Sequence, residues 1–225
     1  MLVQGRASFD PTPDREWLES ITPEWDRFLG PRSTGPVGRA LEVYYWQRVA
    51  IEVEVERVVA YPTTDAEGVP QVFGSDPPPP PGPQSEPKGG AGPRQDVAKA
   101  AAHAAKLPHT LLGWCGSDDL PKVVPVRGTE ATADGLRLGL PPGSAPAGGR
   151  RAGLTSHWFQ PRMIGQEQRV YTGWMTSDDP DTAHYAPHTR AGYRLPPYRP
   201  LMLAGCAALG RGLRKARAAG VAPAG

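Results

Sequence analysis

The chain has 225 residues and a mass of 24.1 kDa, room for one domain or two small ones. Its 25 Lys and Arg against 23 Asp and Glu leave a formal net charge of +2, a balance that argues against nucleic acid as the principal partner. Gly 27 and Pro 28 are high for a packed domain, but much of the excess sits in recognisable linkers. The two cysteines, Cys115 and Cys206, lie far apart and form neither a disulfide framework nor a thiolate metal site. Cys115, between Trp114 and Gly116, reads as a buried or half-buried thiol. The opening MLVQGRASFD has no basic stretch followed by an apolar one, so no secretory leader is expected. The longest apolar run, Leu201 to Leu209, is far shorter than the roughly 20 residues a membrane helix needs. A cytoplasmic protein with no membrane contact is the expectation.

The first region runs from Met1 to Pro62. VQGRAS, Val3 to Ser8, is strand-like with a central glycine, and it is echoed by YTGWMT, Tyr171 to Thr176. From Asp14 to Leu29 the residues Trp17, Leu18, Ile21, Trp25, Phe28 and Leu29 recur at helical spacing. Pro23 interrupts them, which allows two short helices as well as one kinked one. Trp17, Trp25 and Phe28 read as core or interface. The clearest strand follows: Val49, Ile51, Val53 and Val55 alternate with Glu52, Glu54 and Glu56, whose side chains read as a solvated sheet face.

Residues 63–94 lose periodicity. DPPPPPGP at Asp76 to Pro83 is a stiff polyproline stretch, and Lys88 to Pro93 is glycine-rich and flexible; a surface linker is expected, with a docking site for a polyproline reader as the alternative.

The second region covers residues 95–200. Asp96 is a plausible N-cap for an alanine-rich helix ended by Pro108. Two strands joined by the turn GSDDL fill Leu107 to Val126, and Thr129 to Leu140 adds a turn and a strand in which Leu136, Leu138 and Leu140 alternate. PPGSAPAGG, Pro141 to Gly149, is a loop. After it, Arg150 and Arg151 stand close in sequence to Thr155, Ser156 and His157, a set that can satisfy a phosphate with charge and hydrogen bonds together. An ordinary basic strand end explains the same residues equally well. A strand over Gln168 to Thr176 carries Arg169 and Trp174. The segment AHYAPHTRAGYRLPPYRP then reads as a proline-broken loop that could close over an aromatic ligand; His184 and His188 lack a third partner, so no metal site is expected. Residues 201–225 are expected to form a structural helix with a solvated basic end, with phosphate binding by that end as the alternative.

The runs LGWCGSDDLPKVVPV, DGLRLGL, RRAGLTSHWF, QRVYTGW and YAPHT resemble the pyridoxamine 5'-phosphate oxidase-like family over Asp96 to Pro197. Met1 to Pro62 resembles the last elements of a second such barrel. The resemblance implies a mainly β fold with flanking helices: an antiparallel, Greek-key-like FMN-binding split barrel, in tandem with one incomplete barrel. It implies a flavoprotein oxidoreductase using FMN, with deazaflavin or haem in some branches, and a cleft between two barrels that a two-barrel chain could form within itself. The missing strands of the incomplete barrel would leave apolar surface and unpaired edges, so a homodimer is expected. By position, Trp114, Pro125 and Val126 would lie along the flavin ring. Arg150, Arg151, Thr155 and Ser156 would hold its phosphate with His157 beside them, and Arg169 would add a basic group. The family's substrate-binding arginine and histidine set is not found, so the substrate or reductant is a small molecule left open. A flavin- or haem-binding protein without turnover is the alternative.

Overall fold

The structure is a computed structural model that describes residues 1–11, 13–29, 49–160 and 165–195, and beyond them residues 198, 200, 201, 204, 211, 214 and 218. The expected C-terminal helix and its basic end lie largely outside the described residues, as do Cys206 and the side chains of Trp25 and Phe28.

The protein is mainly β. Its described elements are β1 (Leu2–Asp10), α1 (Arg15–Ser20), α2 (Thr22–Leu29), β2 (Ala50–Ala60), β3 (Gln71–Gly74) and α3 (Val97–Lys106). They continue with β4 (His109–Cys115), β5 (Pro121–Pro125), β6 (Gly128–Ala131), β7 (Leu136–Gly139), β8 (Gly148–Phe159), β9 (Gln166–Asp179) and β10 (Thr182–Leu195). They fall into two compact units. One takes in residues 1–6, 54–158 and 167–193, and the other residues 7–53, 159–166 and 194–225. The boundaries expected at residues 62 and 95 therefore do not separate compact units. The ends of the first region fold with the second region because β1 and β2 run into both units.

In the larger unit, β4 to β10 form one curled antiparallel sheet in the order β5-β4-β8-β9-β10-β7-β6. The curl follows from connectivity. β5 and β6 are opposite edges of the sheet, yet only Val126 and Arg127 separate them. Three Cα steps span at most about 11 Å, so the two edges must meet at this point. Hydrogen bonds mark the crossing: Val126 N donates to Thr110 O at 2.8 Å, extending the β4 ladder, and Arg127 N donates to Gly139 O at 2.9 Å, opening the β7 ladder.

The inner face follows the two-residue period of a strand. On β8, Arg150, Ala152, Leu154 and Ser156 are buried, whereas Arg151 is exposed and Gly153, Thr155 and His157 are half-buried. Leu112 and Trp114 of β4, Leu136 and Leu138 of β7, Tyr171 and Met175 of β9 and Tyr185 of β10 complete a core into which Ala100 of α3 packs. Asp96 caps α3 as expected, its Oδ1 accepting from Lys99 N at 2.9 Å.

Three expectations change. The proline-rich segment around His184 and His188 is the long strand β10 and not a loop. β7 pairs β10 only from Thr182 to Tyr185, so Pro187 falls where that neighbour has ended and its missing N–H costs no ladder bond. In place of a strand, Arg94 N and Gln95 N donate to Pro187 O at 2.8 and 3.1 Å. Next, residues 63–94 are not a structureless linker. Gln71–Gly74 forms β3, paired antiparallel with β2, and the first region thus contributes to a three-stranded β1-β2-β3 sheet, which does not close into a barrel among the described residues. The prolines after it lie against the larger unit's curled sheet and its loops. Consecutive prolines have no N–H groups, so their carbonyls take donors from elsewhere. Ser117 Oγ donates to Pro79 O at 2.7 Å and Arg150 Nη2 to Pro81 O at 3.1 Å. Finally, Cys115 is exposed, because its position on β4 alternates with the buried Trp114.

In the smaller unit, Asp14 Oδ1 accepts from Trp17 N at 2.7 Å and starts α1, and a break at Ile21 separates it from α2. Two short helices result, with Pro23 tolerated in the first turn of the second. Glu52 and Glu54 of β2 are exposed as expected, but so are Val49, Ile51 and Val53. Alternation shows that a strand has two faces. It does not show that either one is covered.

Candidate functional site

The residues expected to hold a phosphate are spread along β8 by strand geometry. Successive side chains take opposite faces, and each residue advances about 3.3 Å. Arg150 and Arg151 are therefore directed apart, and Thr155 lies about 13 Å along the strand from Arg151. No single phosphate can meet all of them.

Arg150 is 1% exposed, and its Nη2 donates to Pro81 O and to Ala147 O at 3.1 and 2.7 Å. Its Nε and Nη1 are buried without a hydrogen-bond partner, and no carboxylate pairs with it among the described residues. Burial pulls its guanidinium below the usual arginine range. Ser156 is buried and shares a 2.9 Å hydrogen bond with Thr110. On the outer face, Thr155 stands opposite Leu111, and His157 stands opposite His109 with ring centroids 5.3 Å apart. Burial first, and then the neighbouring His109, hold the His157 imidazole below its ordinary pKa. Arg169 is engaged by Glu167, its Nη2 donating to Oε1 at 2.9 Å, while Lys106 Nζ holds the other carboxylate oxygen at 3.2 Å. Trp114 is inside the core, and Pro125 and Val126 are half-buried at the curled edge.

What the structure does bring together lies on the outer face of β4, β8, β9 and β10. A cavity of about 520 Å³ there is bordered by Gly113, Arg151, Gly153, Thr172, His188 and Thr189, with Arg94 and Cys115 at its margin. Gly113 and Gly153 are direct partners across the β4–β8 ladder. A Cβ on Gly153 would meet nothing nearer than Tyr171 O at 3.8 Å, so packing does not demand glycine there. The two glycines leave a floor of bare backbone against which a flat ring can lie. Thr172 and Thr189 share a 2.5 Å hydrogen bond across β9 and β10. Arg94 Nη2 is steadied by the carbonyls of Lys88 and Gly90 at 3.0 and 3.2 Å. The lining holds two guanidinium groups and no carboxylate. Its field therefore favours an anion, and the planar five-donor guanidinium suits a phosphate in particular.

Of the residues singled out by the sequence, Arg151, Trp114 and His188 border this cavity. Arg94, Thr172 and Thr189 were missed. Arg94 lies in the segment read as a linker, and the threonines carry no local signal. They meet only through the pairing of β9 with β10. The chain was compared with protein-family models, with characterised proteins and with solved structures, and nothing matches it.

Proposed function

We propose that the chain binds FMN, or a deazaflavin with a phosphorylated tail, on the outer face of its curled sheet and acts as an oxidoreductase of the pyridoxamine 5'-phosphate oxidase-like kind, a split barrel by this reading. One observation carries the proposal: the glycine floor of Gly113 and Gly153 lies beside Arg151 and Arg94 in a cavity without carboxylates. The fit is to a planar group with a phosphate, since a side chain at Gly153 would fill the floor where the ring would lie. Arg151 and Arg94 would hold the phosphate, with the Thr172 and Thr189 hydroxyls supplying neutral hydrogen bonds. A bound flavin would supply hydride chemistry, and the protein's part is to bind, orient and exclude water.

Flavin titration of the full chain, followed by quenching of flavin fluorescence, tests this reading. Arg151→Ala is expected to weaken FMN binding at least tenfold, because a charge-assisted hydrogen bond contributes roughly 1.5–3 kcal/mol. Riboflavin, which lacks the phosphate, should bind both proteins equally. Arg150→Met should leave FMN affinity unchanged, since that side chain faces the other way. Equal FMN affinity in wild type and Arg151→Ala would remove this face from the proposal. Anaerobic reduction of the bound flavin by a nicotinamide separates an enzyme from the second reading, a binding protein without turnover. His188 in the lining supports that second reading, since an imidazole there could also ligate a haem.

A second copy of the chain belongs to the same proposal. The cleft of this kind of fold lies between two barrels, and the uncovered Val49, Ile51 and Val53 of β2 supply apolar surface that a copy would bury. Light scattering should give a dimer at micromolar concentration, and a monomer would count against this part.

A further inference from the structure

The larger unit holds another cavity, of about 510 Å³, bounded by β2, the polyproline segment, the β4–β5 hairpin and the loop before β8. Its volume falls within the roughly 300–1,000 Å³ of small-molecule sites. Val59, Val72, Pro77 to Pro81 and Trp114 make its walls apolar. Its charge pattern is simple. Lys122 is the one cation lining it, and no aspartate or glutamate lines it. Lys122 is the direct partner of Trp114 across the β4–β5 ladder, so the two side chains share a face. Among the described residues no carboxylate pairs with its ammonium. Ser144 Oγ, also at this cavity, is buried with no hydrogen-bond partner, and the Tyr61 side chain contributes to the wall. Burial raises the Tyr61 phenol above its ordinary pKa, which keeps it a neutral donor.

We propose that this cavity is a binding site for a small apolar monocarboxylate, whose carboxylate meets Lys122 and whose hydrocarbon body lies against Trp114 and the polyproline wall. One unpaired ammonium in a partly open, largely apolar cavity selects one negative charge. A cation would find no counter-charge there, and a neutral molecule would leave the ammonium unanswered. Ser144 Oγ is a further unpaired donor at the same cavity. The polyproline segment is then a wall of a site, held in place by Ser117 and Arg150. The proposal is independent of flavin binding on the outer face.

Calorimetric titration of the full chain without flavin tests it, using 2-naphthoate, decanoate and the neutral 2-naphthamide. Saturable one-to-one binding of either acid is expected, with the amide at least about tenfold weaker than naphthoate. Lys122→Met should lower affinity for the acid at least about tenfold and leave amide affinity unchanged, while Lys122→Arg should retain acid binding within a few-fold. The comparison of acid with amide on the wild-type chain stands even if the methionine variant folds poorly. The proposal is overturned if neither acid binds, if acid and amide bind equally, or if a folded Lys122→Met binds the acid as the wild type does.

Discussion

Replacing Arg57 by alanine is expected to destabilise the protein by about 3 kcal/mol, because it leaves the buried Gln4 and two backbone carbonyls without their donor, at roughly 1–3 kcal/mol for each unmet group. The Arg57 side chain is 4% exposed on β2 and serves three other segments. Its Nη1 donates to Gln4 Oε1 of β1 at 3.1 Å and to Asp118 Oδ2 of the β4–β5 turn at 2.9 Å. Its Nε donates to Ser75 O at 2.9 Å, and its Nη2 to Asp76 O at 3.0 Å. Gln4 in turn donates from Nε2 to Pro121 O at 2.8 Å. Alanine would leave Gln4 and Asp118 with unmet groups and would remove the tie from β2 to the β4–β5 turn. Lysine should not restore the loss, because a single ammonium cannot reproduce the directions of the guanidinium fork. Urea denaturation of wild type, Arg57→Ala and Arg57→Lys measures this, and a cost under about 1 kcal/mol, the level of an exposed ion pair, would show that the hub is dispensable.

The same pair sets a pH dependence. Burial opposes ionisation of Asp118, but hydrogen bonds from Arg57 and the Leu120 backbone outweigh it, and the carboxyl is held below its ordinary pKa. A carboxyl depressed in the folded state binds protons more readily once unfolded. Its contribution is thus complete above the unfolded value of about 4 and is lost as pH falls through the folded value. Between pH 5 and 2 the wild type should lose more stability than Arg57→Ala. Parallel losses would separate Asp118 from the acid response.

Gly173→Val is expected to cost at least about 3 kcal/mol, at the upper end of overpacking effects. Gly173 is buried on the inner face of β9, where a Cβ would overlap the Ala186 carbonyl and approach the Tyr185 ring and hydroxyl at 2.9 Å. Neither neighbour can yield. One is the backbone of β10, and Tyr185 is fully buried with its hydroxyl donating to Tyr171 O at 3.0 Å. For a chain of this size the loss corresponds to a Tm lowered by about 6–12 °C. Gly153→Val on the outer face of β8 provides the contrast, since no atom crowds its added Cβ and valine suits a strand. Calorimetry showing similar Tm values for the two variants would contradict the assignment of inner and outer faces.

Much of the local structure was legible in the residues. Asp14 and Asp96 mark helix starts, Pro23 marks the break between α1 and α2, and the leucines of β7 announce their buried face. These features depend on capping, φ restriction and the two-residue period, all of which act within a few positions of the chain. The site was far less legible. Arg150 and Arg151 are neighbours in sequence, and that adjacency suggested a joint role, yet the same period that identifies β8 sends them to opposite faces. The prolines from Pro77 to Pro81 look like a linker in isolation, because nothing local indicates that Ser117 and Arg150 will supply the donors their carbonyls need.

Local residue patterns thus decided where helices and strands form and which side chains alternate. Only tertiary structure decided which faces are covered, that β5 and β6 meet to curl the sheet, that β3 arises within an apparent linker, and that Arg94, Arg151, Thr172 and Thr189 surround one cavity. The physical reason is range. Backbone conformation answers to steric and capping terms between near neighbours. Burial and the grouping of polar side chains answer to strand pairings and hydrogen bonds between residues as far apart as Gln4 and Pro121, 117 positions along the chain.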